Sequence, residues 1–227
     1  MTSYDRIMIW CAHPDDEIIM GGTIALMADA GCEVTVVTLS KGDAGYCRPE
    51  WAHTIADMRK QEAAACDAIL GIAERIFLEL PDQGVRHEWR TTRQLIHLLR
   101  EYRPQALFTL GPEDRNSDHV AVHQMTDEIV WQAFENILAN EGTPYAVPLV
   151  YLYHGHANMG PSIEVDVSQA AARKAQAWLS QTTQVEMLPR IRERIAELEQ
   201  AAAGEGLATE RFVIWHRNVL SDFLPLP

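Results

Sequence analysis

The chain has 227 residues, of which 47% are hydrophobic and 22% charged, enough apolar material for one large core and too mixed a composition for disorder. Its formal net charge is −13, with 19 Lys and Arg dispersed among 32 Asp and Glu, which excludes nucleic acid and anionic membrane surfaces as expected partners. No stretch approaches the roughly 18 apolar residues of a membrane span. The opening MTSYDRIMIWCAH has no basic segment or long apolar run of a secretion signal, so a cytoplasmic protein is expected. The four cysteines, Cys11, Cys32, Cys47 and Cys66, form no C-x-x-C pair, which argues against a structural zinc ribbon. Cys11 and Cys66 read as buried thiols.

The predicted elements alternate. RIMIWCA, from Arg6 to Ala12, is a nearly continuous apolar run and reads as a buried strand. MGGTIALMADAG follows as a helix that stops at Gly31. The β-branched run from Glu33 to Ser40 is a second strand, and KGDAGYCRPE is a loop. A helix is expected over 51–71, with Ile55, Met58, Glu62, Cys66 and Ile69 at helical spacing and Gly71 closing it. RIFLEL is a third strand, PDQGV a turn, RTTRQLIHLLREY a helix ended by Pro104, and ALFTLG a fourth strand. A helix over 118–140, strand-like runs PLVYLYH and SIEVDV, and helices over 168–181 and 186–206 complete the chain. Four strand–helix alternations indicate a parallel sheet wrapped by helices, without an internal repeat or a domain linker.

Such sheets bind ligands at the carboxyl ends of their strands. His13 follows the first strand, Lys41–Gly45 the second, Pro81–Gly84 the third and Pro112–His119 the fourth. The acid- and histidine-rich loops therefore share one edge, which points to one composite site. CAHPDDEIIMGG places Asp15, Asp16 and Glu17 side by side. Acids in a helix's first turn commonly satisfy its free N–H groups, but a divalent cation is the most economical compensation for three of them. Zinc in a catalytic site takes three N or O ligands and leaves a fourth position open. His13 and Asp16, three apart, can chelate, with Asp15 unligated beside them, and His119 can supply the third ligand. His123, one turn along, reads as structural, because three ligands already complete an open site.

AHPDDE at 12–17 and NSDH at 116–119 resemble the two motifs of the PIG-L/LmbE-like zinc-dependent N-deacetylases, the second usually written H-P-D-H. The similarity extends through GGT, LSKGDAG, RKQEAAACDAILG, LPDQG and VDVS, over about three quarters of the chain. The resemblance implies an α/β, Rossmann-like, mainly parallel sheet flanked by helices, here as a single domain over 1–227 with a C-terminal helical extension. It implies removal of an acyl group, usually acetyl, from an amino-sugar nitrogen. Carried over by position, His13, Asp16 and His119 bind Zn2+, Asp15 is the general base, Asp118 orients a neighbour, and Arg59 and Asp82 lie near substrate hydroxyls. Fe2+ suits two His and a carboxylate equally. The expected partner is a small N-acetylated sugar. Relatives are often homo-oligomers, although no strip of this sequence marks an interface.

Asn116 stands where many relatives carry a His thought to stabilise the oxyanion. Asn donates a hydrogen bond but holds no positive charge. Either Asn116 serves as a neutral catalytic donor, or His154 or His156 of YHGHANMG supplies the group at the substrate, or the reaction differs; histidines in such loops are ordinarily solvated. The runner-up activity is a metal-dependent hydratase acting on a small unsaturated carboxylic acid, for which Arg48, Arg59 and Arg115 would clamp carboxylates. A silent binding protein has no need of an unligated Asp15, and the Gly21–Gly22 pair is no dinucleotide fingerprint. Tyr46 and Trp51 read as packing residues or as a platform for a sugar ring.

Overall fold

The first strand determines the rest of the sheet. β1 (Arg6–Cys11) is buried at every position after Arg6, because RIMIWC presents apolar side chains on both faces and is stable only with layers on each side. In the computed structural model, which describes residues 4–217, β1 has β2 (Glu33–Ser40) on one side and β4 (Ala106–Leu110) on the other, both parallel. β3 (Glu74–Leu80) extends the β2 side and β5 (Leu149–His154) the β4 side, again in parallel. The expected span of 1–227 runs beyond the described residues at both ends.

Helices α1 (Gly21–Asp29), α2 (Ile55–Leu70), α3 (Trp89–Tyr102) and α4 (Ser117–Phe134) connect these strands. The chain runs outward from β1 to β3, then returns through α3 to β4 on the other side of β1. This reversal leaves a crevice between the carboxyl ends of β1 and β4, where open α/β sheets hold their ligands. The core fills around β1, with Ile7, Met8, Ile9 and Trp10 among its largest fully buried side chains. Cys11 and Cys66 are buried there as expected.

The full sheet has seven strands in the order β3-β2-β1-β4-β5-β7-β6. β6 (Ser162–Asp166) is the expected SIEVDV run. β7 (Thr209–Arg217) is unforeseen: it inserts antiparallel between β5 and β6. Between them the chain forms α5 (Ala171–Ser180), α6 (Thr182–Met187) and α7 (Arg190–Ala202). The helix expected over 186–206 does not begin at Glu186, because α6 ends at Met187 and α7 starts after Pro189, where a proline suits a helix start. α5 packs on α1, α2 and α7.

α4 ends at Phe134 rather than near residue 140. The buried Arg100 of α3 donates to the carbonyls of Gln132, Ala133 and Glu135, and beyond them to Ile137, Leu138 and Gly142, at 2.8–3.2 Å. One guanidinium thus satisfies carbonyls that a longer helix would have bonded internally. Among the described residues no helix is long and apolar enough to cross a membrane.

Ile9 is fully buried in the central strand. Ile9→Ala should cost about 2–5 kcal/mol through lost burial and the cavity it leaves. Urea unfolding should show a lower midpoint at unchanged slope, and a cost under about 1 kcal/mol would contradict this packing.

Candidate functional site

The three acids after β1 part company. A 3-10 turn over Asp16–Met20 follows the strand after four residues, so consecutive side chains point in different directions. Glu17 is fully buried and pairs with Arg75 of β3, Oε1 to Nη2 at 2.6 Å. Arg75 also holds Asp67 of α2 at 2.6 Å and donates to Thr38 of β2 at 2.9 Å. Asp15 pairs with the buried Arg59 of α2. Arg59 donates from its other nitrogen to Gly42 O at 3.3 Å. Gly42 has φ +67° and a Cβ there would overlap the guanidinium, so no other residue fits this position. Two of the three acids therefore have arginines of their own, and the expectation that one cation compensates all three holds for Asp16 alone.

Asp16 faces two imidazoles. His13, at the end of β1, has Nδ1 3.1 Å from His119 Nε2 and 3.7 Å from Asp16 Oδ2; His119 Nε2 is 3.2 Å from Asp16 Oδ1. A tetrahedral ion with bonds of about 2.0–2.1 Å separates its ligand atoms by about 3.3–3.4 Å. The three groups stand 3.1–3.7 Å apart, which brackets that spacing. Behind each imidazole is a carboxylate. His13 Nε2 lies 3.2 Å from Asp82 Oδ1 and 3.5 Å from Asp118 Oδ2, and His119 Nδ1 lies 2.8 Å from Asp114 Oδ2. In neutral imidazoles these carboxylates would hold the ring protons on the outer nitrogens and turn the inner lone pairs toward one point. Two such lone pairs at 3.1 Å beside a carboxylate repel unless positive charge sits among them, so the residues fit a divalent ion with an open position.

Without an ion the same carboxylates favour protonated imidazoles, whose charge a divalent ion would replace. Burial pushes the His13 imidazole down, but Asp118, Asp16 and Asp82 overcome it and raise it to about 12. His119 is likewise pushed down by burial and raised, chiefly by Asp16, to about 9. Burial would raise the Asp16 carboxyl, yet His119 and His13 hold it well below the usual range. Asp15 is raised, because its burial outweighs the pull of Arg59.

The other expected site residues divide. Asp118 is fully buried and oriented by Gln83 N–H, which donates to Oδ2 at 2.7 Å. It stands behind His13, as a residue that orients a neighbour should. Arg59 and Asp82 reach the cleft wall, engaged with Asp15 and His13. Asn116 caps α4: its Oδ1 accepts from Asp118 N–H at 2.9 Å, which leaves the amide NH2 for the cleft it lines. His154 ends β5 with Nε2 3.1 Å from Asp114 Oδ2. It is half-buried at the cleft rather than in a solvated loop, and burial pushes its imidazole down. His156 is also buried, but it bonds Arg211 O at 3.0 Å and stays outside this cleft. His123 turns to Leu110 O at 3.0 Å and stacks near Trp215, a structural role. Neither Tyr46 nor Trp51 lines the cleft.

Asp114 was missed. It lies two residues before the second motif, and its contacts with both His119 and His154 depend on how β4 and β5 end. Those ends approach closely: Gly111 N–H donates to His154 O at 2.6 Å, and a Cβ at Gly111 would sit 2.7 Å from the Gly155 carbonyl carbon. Also unforeseen is the wall opposite the histidines, built by α5 to α7 with Trp178, Gln184, Met187 and Ile191, around a cleft of about 680 Å³.

The profile of the PIG-L family, described as GlcNAc-PI de-N-acetylase, matches residues 8–130, which include every one of His13, Asp15, Asp16 and His119. The chain belongs to this family. A deacetylase of Catenulispora acidiphila named for 1D-myo-inositol 2-acetamido-2-deoxy-α-D-glucopyranoside is 34% identical to this PIG-L chain over 173 residues, 62% of this chain and 57% of that protein. The chain thus spans less than three fifths of the length of this curated relative. The N,N'-diacetylchitobiose deacetylase of Pyrococcus horikoshii shares its fold with a TM-score of 0.81 at 21% identity, covering 97% of this chain and 89% of that one. The 4-carboxy-2-hydroxymuconate hydratase of Pseudomonas putida does so with a TM-score of 0.79 at 22% identity, covering 95% and 98%.

Arg75→Met would leave Glu17 buried without its counter-charge and should cost about 3–5 kcal/mol of stability. Chemical denaturation measures it. Adding Glu17→Gln should recover much of the loss, and a double variant as unstable as the single would refute the pairing.

Proposed function

We propose that the cleft removes an acyl group, ordinarily acetyl, from the nitrogen of a small amino sugar or amino-sugar conjugate, using a divalent ion held by His13, Asp16 and His119. The observation that carries this reading is an open three-donor centre with Asp15 beside it, half-buried and aimed by Arg59 but outside the ligand set. Zn2+ is the first expectation, and Fe2+ suits the same donors. The family match and the names of the relatives support the reaction class.

When bound, such an ion polarises the acyl carbonyl and brings the pKa of a coordinated water to about 7. The residues of the chain do the remaining work. Asp15 accepts the proton of the attacking water and returns it to the departing nitrogen, so that one amide and one water become one amine and one carboxylic acid, which ionise at neutral pH to ammonium and carboxylate. Its raised pKa suits both halves of that transfer. Arg59 fixes its direction. Asp82 and Asp118 behind His13, and Asp114 behind His119, hold each imidazole's proton on the outer nitrogen. Asn116 offers its free NH2 to the oxyanion as a neutral donor, and His154, beside Asp114, is placed to meet the sugar.

Hydration of a small unsaturated carboxylic acid is the second reading. It is favoured by one feature, the neutral Asn116 in place of a chargeable group, and it would use the same centre and the same base. The two part on the product, since only hydrolysis of an amide releases a primary amine.

The deciding experiment is amine release from a panel of N-acetylated sugars by the zinc-loaded protein. The wild type should release amine. Asp15→Asn should keep its zinc and lose about 10²–10⁴-fold in kcat; full activity in that variant would remove Asp15 as the base. No amine from any sugar would favour the hydratase.

Asp114→Asn keeps the size of the side chain and removes the charge behind His119. Zinc affinity, read by competition with a chelating dye, should fall about 10–100-fold. Unchanged affinity would make Asp114 a bystander.

A further inference from the structure

The cleft wall opposite the histidines carries a side chain that the proposed chemistry does not use. Gln184 of α6 lines the cleft and is only 2% exposed. Its amide nitrogen is fully engaged: Nε2 donates to Gly45 O at 3.0 Å and to Thr183 Oγ1 at 3.0 Å. Its amide oxygen makes no hydrogen bond with any described residue. Nor is that oxygen sealed. Gln181 Oε1, on the preceding turn, is buried without a partner, whereas Gln184 Oε1 keeps open surface, and the cleft is the space that Gln184 borders.

An amide turned by 180° would present its nitrogen to the cleft instead, but the neighbours forbid that orientation. A backbone carbonyl such as Gly45 O only accepts. Thr183 has one hydroxyl hydrogen and gives it to Glu62 Oε2 at 2.7 Å, so toward Gln184 it too can only accept. Glu62, buried on α2, is fixed in turn by Thr182 Oγ1 at 2.6 Å and Thr183 N–H at 2.8 Å, both donating to Oε1. Each donor in this chain has one direction open to it, and the chain ends with the Gln184 oxygen facing the cleft. Gly45 belongs to the loop whose Gly42 O receives Arg59, the arginine that aims Asp15. The acceptor on the wall and the base on the floor therefore share one connected frame.

We propose that Gln184 Oε1 is a specificity-determining acceptor that recognises a hydroxyl on the sugar ring of the substrate. An oxygen with no hydrogen of its own and no freedom to turn selects a donor and rejects an ether or a deoxy carbon at the same place. The acyl nitrogen belongs beside Asp15, so the donor met at the opposite wall is a hydroxyl further round the ring. The inference rests on the deacetylase reading and deepens it: the substrate is a sugar with a free hydroxyl that reaches α6 while its acyl group faces the ion centre.

A comparison made one hydroxyl at a time tests it on the zinc-loaded protein. The probes are methyl N-acetylglucosaminide and its 3-deoxy, 4-deoxy and 6-deoxy analogues. Amine release gives kcat/KM, and calorimetric binding to Asp15→Asn gives affinity without turnover. One deoxy analogue should lose about 3–10-fold in both measures when Gln184 is present. Gln184→Met should lose a similar factor on the complete sugar and lose no more on that analogue, because the partner is already gone. Thr183→Ser keeps the hydroxyl that orients the amide and should keep the discrimination; Thr183→Val should lose most of it. If Gln184→Met does not fold, the Thr183 pair carries the same comparison. An analogue that loses equally with and without Gln184 would assign its hydroxyl to another residue and overturn the inference. Amine release from all four sugars alike would overturn it while the deacetylase reading stands. Sugars that bind with the expected pattern and release no amine would defeat that reading and leave the acceptor standing, and sugars that neither bind nor react would overturn the acceptor as well.

Discussion

Three neighbouring carboxylates at the end of β1 must each find positive charge in a largely dehydrated place, and the architecture around the cleft follows from how they do so. Glu17 turns beneath the sheet to Arg75 of β3, Asp15 turns to Arg59 of α2, and Asp16 turns to His13 and His119. Each pairing ties β1 to a different element. A buried carboxylate without its partner is costly, so the arrangement that disperses the charges also holds β3, α2 and α4 in position. Of these three acids only Asp16 has no arginine of its own among the described residues; its charge is met by the two imidazoles when they are protonated, or by a divalent ion that would take the place of those protons.

The second tier of carboxylates gives the centre its chemistry. Asp82 and Asp118 stand behind His13 and Asp114 stands behind His119. Asp114 reaches His154 as well, which couples the ion centre to the rim where a substrate would lie. Asn116 shows how a departure from the family pattern is absorbed. As the cap of α4 it supplies an acceptor that the helix start needs, and its amide hydrogens remain for the cleft. Under the proposed mechanism, in which Asp15 would carry the proton in both directions, a neutral group there suffices.

The cleft joins two parts of the chain with different histories of assembly. The floor comes from loops at the ends of parallel strands, the place where this kind of sheet regularly holds chemistry. The wall comes from α5 to α7, anchored because β7 returns to the sheet between β5 and β6. Of the floor residues, His13, Asp15, Asp16 and His119 lie in the segments that resemble the family motifs, and Asp114 lies just before the second of them. The wall of α5 to α7 lies outside the matched residues 8–130.

Local pattern was enough for much of this. The apolar run of β1, the β-branched run of β2, and the helices that stop at glycine or proline are short-range signals, and so is the crowding of His13, Asp15 and Asp16 at a strand end. His119 followed because strand order places its loop on the same edge. The partners of the acids were not legible in the same way: Arg75 lies 58 residues from Glu17 and Arg59 lies 44 from Asp15, and nothing in their own segments distinguishes them from surface arginines. The end of α4 was hidden for a like reason, because Arg100 of another helix takes its carbonyls. β7, Asp114's double contact and the wall of α5 to α7 likewise depend on which distant segments pack together. Residue type and spacing decide what a segment can form and which atoms it can offer; desolvation and packing across the sheet decide which of those atoms meet.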